Sequence, residues 1–127
     1  MSRVVDTSVL YAAFDQADPR QKEAEGQLAR AEPILIPTPV LSEFVGLLQY
    51  RHGHHTATQV LEDLMRLGNV QFIACRHPDQ AIAIWKDAPD ISLTDAVGIH
   101  MARETSSHLL TFDQRQITLH DSLQEAA

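Results

Sequence analysis

Hydrophobic residues along this chain come in short runs, most of them closed by a proline, a glycine or an acid. Residues 2–6 read as a short buried strand, because two β-branched valines run straight into Asp6. Helical spacing follows over 18–32. Asp18 stands as a cap, Pro19 takes the first helical position, and Ala24, Leu28 and Ala31 recur on one face. "PILIP" (33–37) is apolar between prolines and reads as a strand. Thr38 caps a second helix with Pro39 at its first position. That helix carries Val40, Leu41, Phe44, Val45, Leu47 and Leu48 until "RHGHH" (51–55) breaks it. Val60, Leu61, Leu64 and Leu67 mark a helix over 56–67, which Gly68 and Asn69 stop. Residues 70–74 read as a strand, and Pro78 opens a helix through Trp85. After a break at 88–90, Ser92 caps a helix that is apolar on most sides, with Leu93, Ala96, Val97, Ile99, Met101 and Ala102. "SHLLTFD" (107–113) reads as a strand ending in an acid, and "QITLHD" (116–121) as one last short strand. No element is assigned to 7–17 or to the tail.

Short apolar strands alternating with helices predict an α/β fold. The expected architecture is a three-layer α/β/α sandwich around a mainly parallel sheet, built as one domain over 1–127. In such sheets the ligand crevice lies outside the carboxyl ends of the strands. That rule gives weight to any acid that ends a strand.

Composition narrows the functional classes. The chain has 127 residues and a formal net charge of −7, which by itself argues against a bare electrostatic grip on nucleic acid. Acids gathered in one pocket are a different case, because a bound divalent ion reverses the local sign. Cys75 is the only cysteine, so an intrachain disulfide is excluded and the thiol is expected to fill core or near-surface space. No stretch is long and apolar enough for a bilayer, and the N-terminus has no signal-peptide pattern. The expectation is a soluble cytoplasmic protein.

Four acids are candidates to meet. Asp6 ends the first strand and Asp113 follows the late one, so both belong to the carboxyl edge. Glu43 shares a stripe with Val40 and Leu47, which points it toward packed surface. Asp95 lies in the first turn of the most apolar helix. A buried carboxylate is costly without a partner, yet no Lys or Arg in segments 36–50 or 90–101 offers a local one. Each acid also has an ordinary role open to it. Asp6 and Asp113 suit turns, Ser92 to Asp95 matches a capping box, and Glu43 suits a solvated flank. The joint placement carries the sharper reading.

The order V-V-D-T-S-V-L, P-V-L-S-E-F, S-L-T-D-A and L-L-T-F-D resembles the PIN-domain family, above all its VapC-type ribonuclease toxins. The match covers essentially the whole chain in length, element order and acid spacing. The resemblance implies a PIN-like sandwich whose acids hold Mg²⁺ or Mn²⁺. By motif position, Asp6, Glu43, Asp95 and Asp113 correspond to the acidic quartet. Thr7, Ser8, Ser92 and Thr111 fall where hydroxyls support the site. It also implies an RNA substrate, a cognate antitoxin whose C-terminal segment covers the pocket, and a homodimer. "QRQI" after Asp113 departs from the pattern, which often has an aromatic residue there. Four carboxylates fit this chemistry, since hard divalent ions prefer oxygen and assist attack of water on phosphorus. Asp6 and Asp95 are the first choices as direct ligands. Glu43 either ligates or orients water, and Asp113 completes a second ion position. Arg3, Arg51, Arg103 and Arg115 are available for the phosphate backbone.

Other features weigh less. His52, His54 and His55 invite a metal, but without a second ligand pair they read as a solvated loop. His100 reads as a core or interface residue. Trp85 and Phe112 read as core ahead of base-stacking. Leu61, Leu64 and Leu67 read as core packing or as a partner surface. Two rival functions remain: a non-catalytic acidic pocket that binds a basic partner, and a phosphohydrolase using Asp6. The second is weaker, because Asp-Thr-Ser lacks the second aspartate of a D-x-D pair. A receiver domain would need a lysine after a late strand, and the lysines are Lys22 and Lys86.

Overall fold

The computed structural model describes residues 1–126. Four strands form one parallel sheet: β1 (Arg3–Val5), β2 (Ile34–Pro37), β3 (Val70–Ile73) and β4 (His108–Leu110), in the order β3-β2-β1-β4. Among the described residues seven helices surround it. They are α1 (Thr7–Phe14), α2 (Gln21–Leu28), α3 (Thr38–His52), α4 (His54–Met65), α5 (Pro78–Lys86), α6 (Leu93–Glu104) and α7 (Gln114–Ala126).

The expected three-layer α/β/α sandwich is observed. Successive strand residues point to opposite faces. Val5, Ile34 and Ile36 enter one core with Val9 and Leu10 of α1, Leu28 of α2, Phe44 and Leu48 of α3, and Leu64 of α4. Val4 and Leu35 enter the other core with Ala81 of α5 and Val97, Met101 and Ala102 of α6. Cys75 packs at the margin of this second core, partly exposed. Burial of both faces explains why the strands read as continuous apolar runs. Leu64 of α4 is fully buried, with Val60 and, just past the helix, Leu67 against the same cluster, whereas Leu61 is only partly buried.

Register places the acids. Val4 pairs with Leu35 on one side and Leu109 on the other. The chain steps outward from β1 to β2 to β3, then returns across the sheet to β4. The order therefore reverses between β1 and β4, and the carboxyl ends at that reversal are where such sheets place their ligand site.

Several boundaries differ from expectation, each for a local reason. Residues 7–14 form α1, which sequence periodicity missed because Thr7, Val9, Leu10, Ala12 and Ala13 are all buried and leave no clear polar face. The helix expected over 18–32 spans only Gln21–Leu28. The Asp18 carboxylate accepts hydrogen bonds from the Arg20 backbone at 2.8 Å and from its guanidinium, which holds Pro19 and Arg20 in a turn. Beyond Leu28, buried Arg3 donates to the carbonyls of Gln27, Arg30 and Glu32. Arg3 thus ties down a chain reversal and is not free for phosphate. Thr38 is the first residue of α3, and its side chain makes no cap bond.

Residues 116–121 are helical and not a strand. Ile117 and Leu119 alternate with polar residues, which imitates strand spacing. Leu119 and Leu123, however, pack four residues apart on Ile91, Ala96 and Ile99. "RHGHH" is not a loop either. His52 ends α3, His54 and His55 begin α4, and only Gly53 intervenes, at φ 90°. Glycine is the residue that adopts this conformation without a steric penalty.

Phe44 is fully buried, with its ring centroid 5.9 Å from that of Phe14, whereas Tyr50 on the same helix is 89% exposed. Phe44→Ala is expected to cost about 3–5 kcal/mol in urea unfolding, and Tyr50→Ala less than about 0.5 kcal/mol. A loss below about 1 kcal/mol for Phe44→Ala would show that this core relaxes around the cavity.

Candidate active site at the carboxyl edge of the sheet

Asp6 leaves β1 and caps α1. Its backbone N–H donates to Leu110 of β4 at 2.9 Å, which anchors it at the strand reversal. Its Oδ2 accepts three hydrogen bonds: Ser8 N–H at 3.2 Å, Ser8 Oγ at 2.7 Å and Thr111 Oγ1 at 3.1 Å. Among the described residues Oδ1 accepts none, and the residue is only 6% exposed. Ser8 and Thr111, expected as supporting hydroxyls, orient this carboxylate. Ser8 Oγ also accepts from the Phe112 backbone at 3.1 Å. Thr7 is buried at the same edge, and among the described residues its hydroxyl has no hydrogen-bond partner.

Asp95 occupies the first turn of α6 in the expected capping box. Ser92 Oγ accepts from the Asp95 N–H at 3.1 Å, and Asp95 Oδ2 accepts from the Ser92 N–H at 3.1 Å. The box leaves Asp95 half-buried. Its carboxyl is held above the ordinary range, first by desolvation and further by the charges of Asp6 and Glu43, against opposing hydrogen bonds from Ser92. Three acids from three elements therefore share one electrostatic neighbourhood. None of them joins an ion pair among the described residues.

Glu43 corrects an expectation. It is exposed and not turned into packed surface, because the buried stripe of α3 runs through Val40, Phe44 and Leu48 and leaves Glu43 on its flank.

Asp113 follows β4 and behaves like Asp6, accepting from the backbone N–H two residues on, here Arg115 at 2.9 Å. Its own N–H donates to Thr111 Oγ1 at 3.0 Å, so Thr111 links the two strand-end acids. Both Asp113 oxygens are engaged by the Arg115 guanidinium, Nε to Oδ1 at 3.1 Å and Nη2 to Oδ2 at 2.9 Å. This pairing holds Asp113 below the ordinary carboxylate range. Sequence reading left Arg115 unplaced. It also missed Gln116, which is 2% exposed beneath the acid. Asp113 followed three residues later by Gln116 has capping-box spacing, a signal that would have found both the helix and the buried glutamine.

The remaining candidates lie elsewhere. The guanidinium of Arg51 covers the Tyr11 ring at 5.1 Å, and Arg103 buries its Nε without a partner. His52 Nε2 stands 3.1 Å from the Tyr11 hydroxyl, while His54 and His55 are exposed. His100 is buried with Nε2 2.7 Å from Glu104 Oε2, off the hydrogen-bonding line. Trp85 is half-exposed, against expectation, and Phe112 packs partly on the core beneath Arg20. Among the described residues no three His, Cys, Asp or Glu side chains form a ready group for a metal. The chemistry of Asp6, Glu43 and Asp95 still fits a hard divalent cation: the donors are all oxygen, their charges repel, and among the described residues no cation pairs with them.

The PIN-domain family model matches residues 3–120, and the chain belongs to that family. Among solved structures it is similar to VapC20 of Mycobacterium tuberculosis, described as a Sarcin-Ricin loop cleaving toxin. That match has a TM-score of 0.74 and 22% identity, over 91% of this chain and 93% of the other. A toxin–antitoxin complex from Klebsiella pneumoniae matches at TM-score 0.67 and 18% identity, over 90% of this chain and 88% of that one. VapBC2 from Rickettsia felis, bound to a DNA fragment from its promoter, matches at TM-score 0.69 and 14% identity, over 94% and 93%. At these identities the likeness is one of fold. No curated protein matches the sequence. No helix among the described residues is long and apolar enough to cross a membrane.

The raised carboxyl of Asp95 sets a pH dependence for the metal-free protein. The folded state binds this proton more tightly than the unfolded state does, so this acid's contribution to stability falls as pH rises through the folded value. Asp95→Asn is therefore expected to melt higher than the parent in EDTA at pH 7. The difference should shrink as pH drops below about 4, where Asp95 is protonated in both states. Thermal melts across that range check it, and a constant offset would remove Asp95 as the cause.

Proposed function

We propose that this chain is a divalent-metal-dependent endoribonuclease that acts as the toxin of a toxin–antitoxin pair. One observation carries the reading. The charges of Asp6 and Glu43, from two other elements, act on Asp95 beside the strand reversal, and among the described residues none of the three joins an ion pair. Membership of the PIN-domain family supports it, as does a fold similar to a toxin described as cleaving the Sarcin-Ricin loop.

Asp6 and Asp95 would hold Mg²⁺ or Mn²⁺, with Glu43 and Asp113 completing the set. A bound ion would supply positive charge to the phosphate oxygens and lower the pKa of the attacking water. The chain's own residues do the positioning. Ser8 and Thr111 fix Asp6 through Oδ2 and leave Oδ1 to face a ligand. Ser92 fixes Asp95, and exposed Glu43 is free to orient water. RNA is the substrate of this reading. A cognate antitoxin and a homodimer are its partners, and the cytoplasm is its compartment. Antitoxin pairing draws support from the similar folds found in the Klebsiella and Rickettsia structures. Asp6 as a phosphohydrolase nucleophile has less support, because three hydrogen bonds draw charge from its carboxylate.

Cleavage of a structured RNA pool with Mg²⁺, with Mn²⁺ and with EDTA tests the proposal. Cutting is expected with either ion and none in EDTA. Asp6→Asn should lower the rate at least about 100-fold with an unchanged circular dichroism spectrum, since metal-borne stabilisation of several kcal/mol is at stake. Undiminished cutting by folded Asp6→Asn protein would remove the assignment. No cutting by partner-free wild-type protein would favour a non-catalytic acidic pocket.

A further inference from the structure

We propose that Arg115 is a built-in competitor for the fourth acid: its guanidinium occupies Asp113, and a divalent cation must displace it before that carboxylate joins the site. This inference rests on the metal-dependent reading above.

The geometry is that of a two-pronged clamp. Nε and Nη2 of Arg115 take one Asp113 oxygen each, at 3.1 and 2.9 Å, and the Arg115 backbone N–H adds a third bond at 2.9 Å. Planar guanidinium and carboxylate groups match in this arrangement, which makes it stronger than a point contact. The clamp is intramolecular and only two residues long, so the guanidinium is always at hand. Among the described residues Asp6, Glu43 and Asp95 have no such cation. As it stands the edge therefore offers three available carboxylates and one engaged by Arg115.

The clamp can also open. The Arg115 side chain is 61% exposed and that of Asp113 only 20%, so the arginine is the partner with solvent to swing into. Beside it lies a cavity of about 460 Å³ between the 87–91 turn and α7, lined by Asp90, Ile91, Arg115, Thr118 and Leu119. A released guanidinium has room there, with the Asp90 carboxylate to receive it. Asp113 keeps its place on release, because Thr111 Oγ1 still accepts its N–H.

Calorimetric titration of the metal-stripped chain with Mn²⁺ tests the competition. The proteins are wild type, Arg115→Ala, Asp113→Asn, the double variant and Asp6→Asn, each checked for fold by circular dichroism. Removing an exposed ion pair should tighten Mn²⁺ binding by roughly two- to fivefold in Arg115→Ala. In the Asp113→Asn background the same change should do less than about 1.5-fold, because the two residues act as a unit. An equal gain in both backgrounds would show a general charge effect and overturn the competition. So would no gain. If Asp6→Asn abolishes binding while Arg115→Ala leaves it unmoved, the metal site stands and the competitor alone fails. If no variant binds Mn²⁺, both fall.

Discussion

The hydrogen bond from Thr111 to Asp6 joins two strands that the chain makes far apart, and the acid edge is organised around it. On one side it fixes the Asp6 carboxylate, with Ser8 completing the set on Oδ2. On the other, the same hydroxyl accepts the Asp113 N–H and positions the start of α7. Three of the four acids also sit at the beginnings of helices, Asp6 at α1, Asp95 at α6 and Asp113 at α7. Helix N-termini favour negative charge, because unsatisfied N–H groups and aligned peptide dipoles point there. The fold thus offsets part of the repulsion it creates by gathering carboxylates.

Much of this was legible in sequence, for reasons that differ by element. Prolines at 33, 37, 39 and 78 punctuate strands and helices in ways that survive tertiary packing, and the capping box at Ser92 is observed as expected. The strand-end rule placed Asp6 and Asp113 at the right edge. α1 and α7 were missed because their patterns mislead: one helix is buried nearly all round, and the other alternates like a strand. Glu43 was misjudged by one position on a helical wheel, since the buried stripe belongs to Phe44. The Asp113–Arg115 clamp was invisible because spacing alone does not say whether neighbouring charges meet or diverge. Arg3 failed as a phosphate contact for the opposite reason, as its guanidinium is spent inside the fold on backbone carbonyls.

An overall charge of −7 and a proposed RNA substrate are reconciled at the scale of the site. Net charge governs the distant field, whereas catalysis depends on local sign. Carboxylates such as Asp6, Glu43 and Asp95, in no ion pair among the described residues, repel phosphate until positive charge arrives. On the proposed reading, the −7 balance disfavours unspecific capture of nucleic acid and leaves selectivity to shape and a few placed side chains.

The short central strand carries one more consequence. Residues 3–5 pair with 108–110, so β1 lacks its second neighbour, the edge strand β4, until those late residues have been made. Thr111 and Asp113 leave the ribosome last among the groups at the acid edge. Pairings this distant in sequence close slowly and late. Asp6 is made early with Ser8 beside it, but the Thr111 hydroxyl that completes its hydrogen bonds comes 105 residues later. The architecture therefore delays assembly of the pocket until residues 108–113 have been made, an order of events set by topology alone.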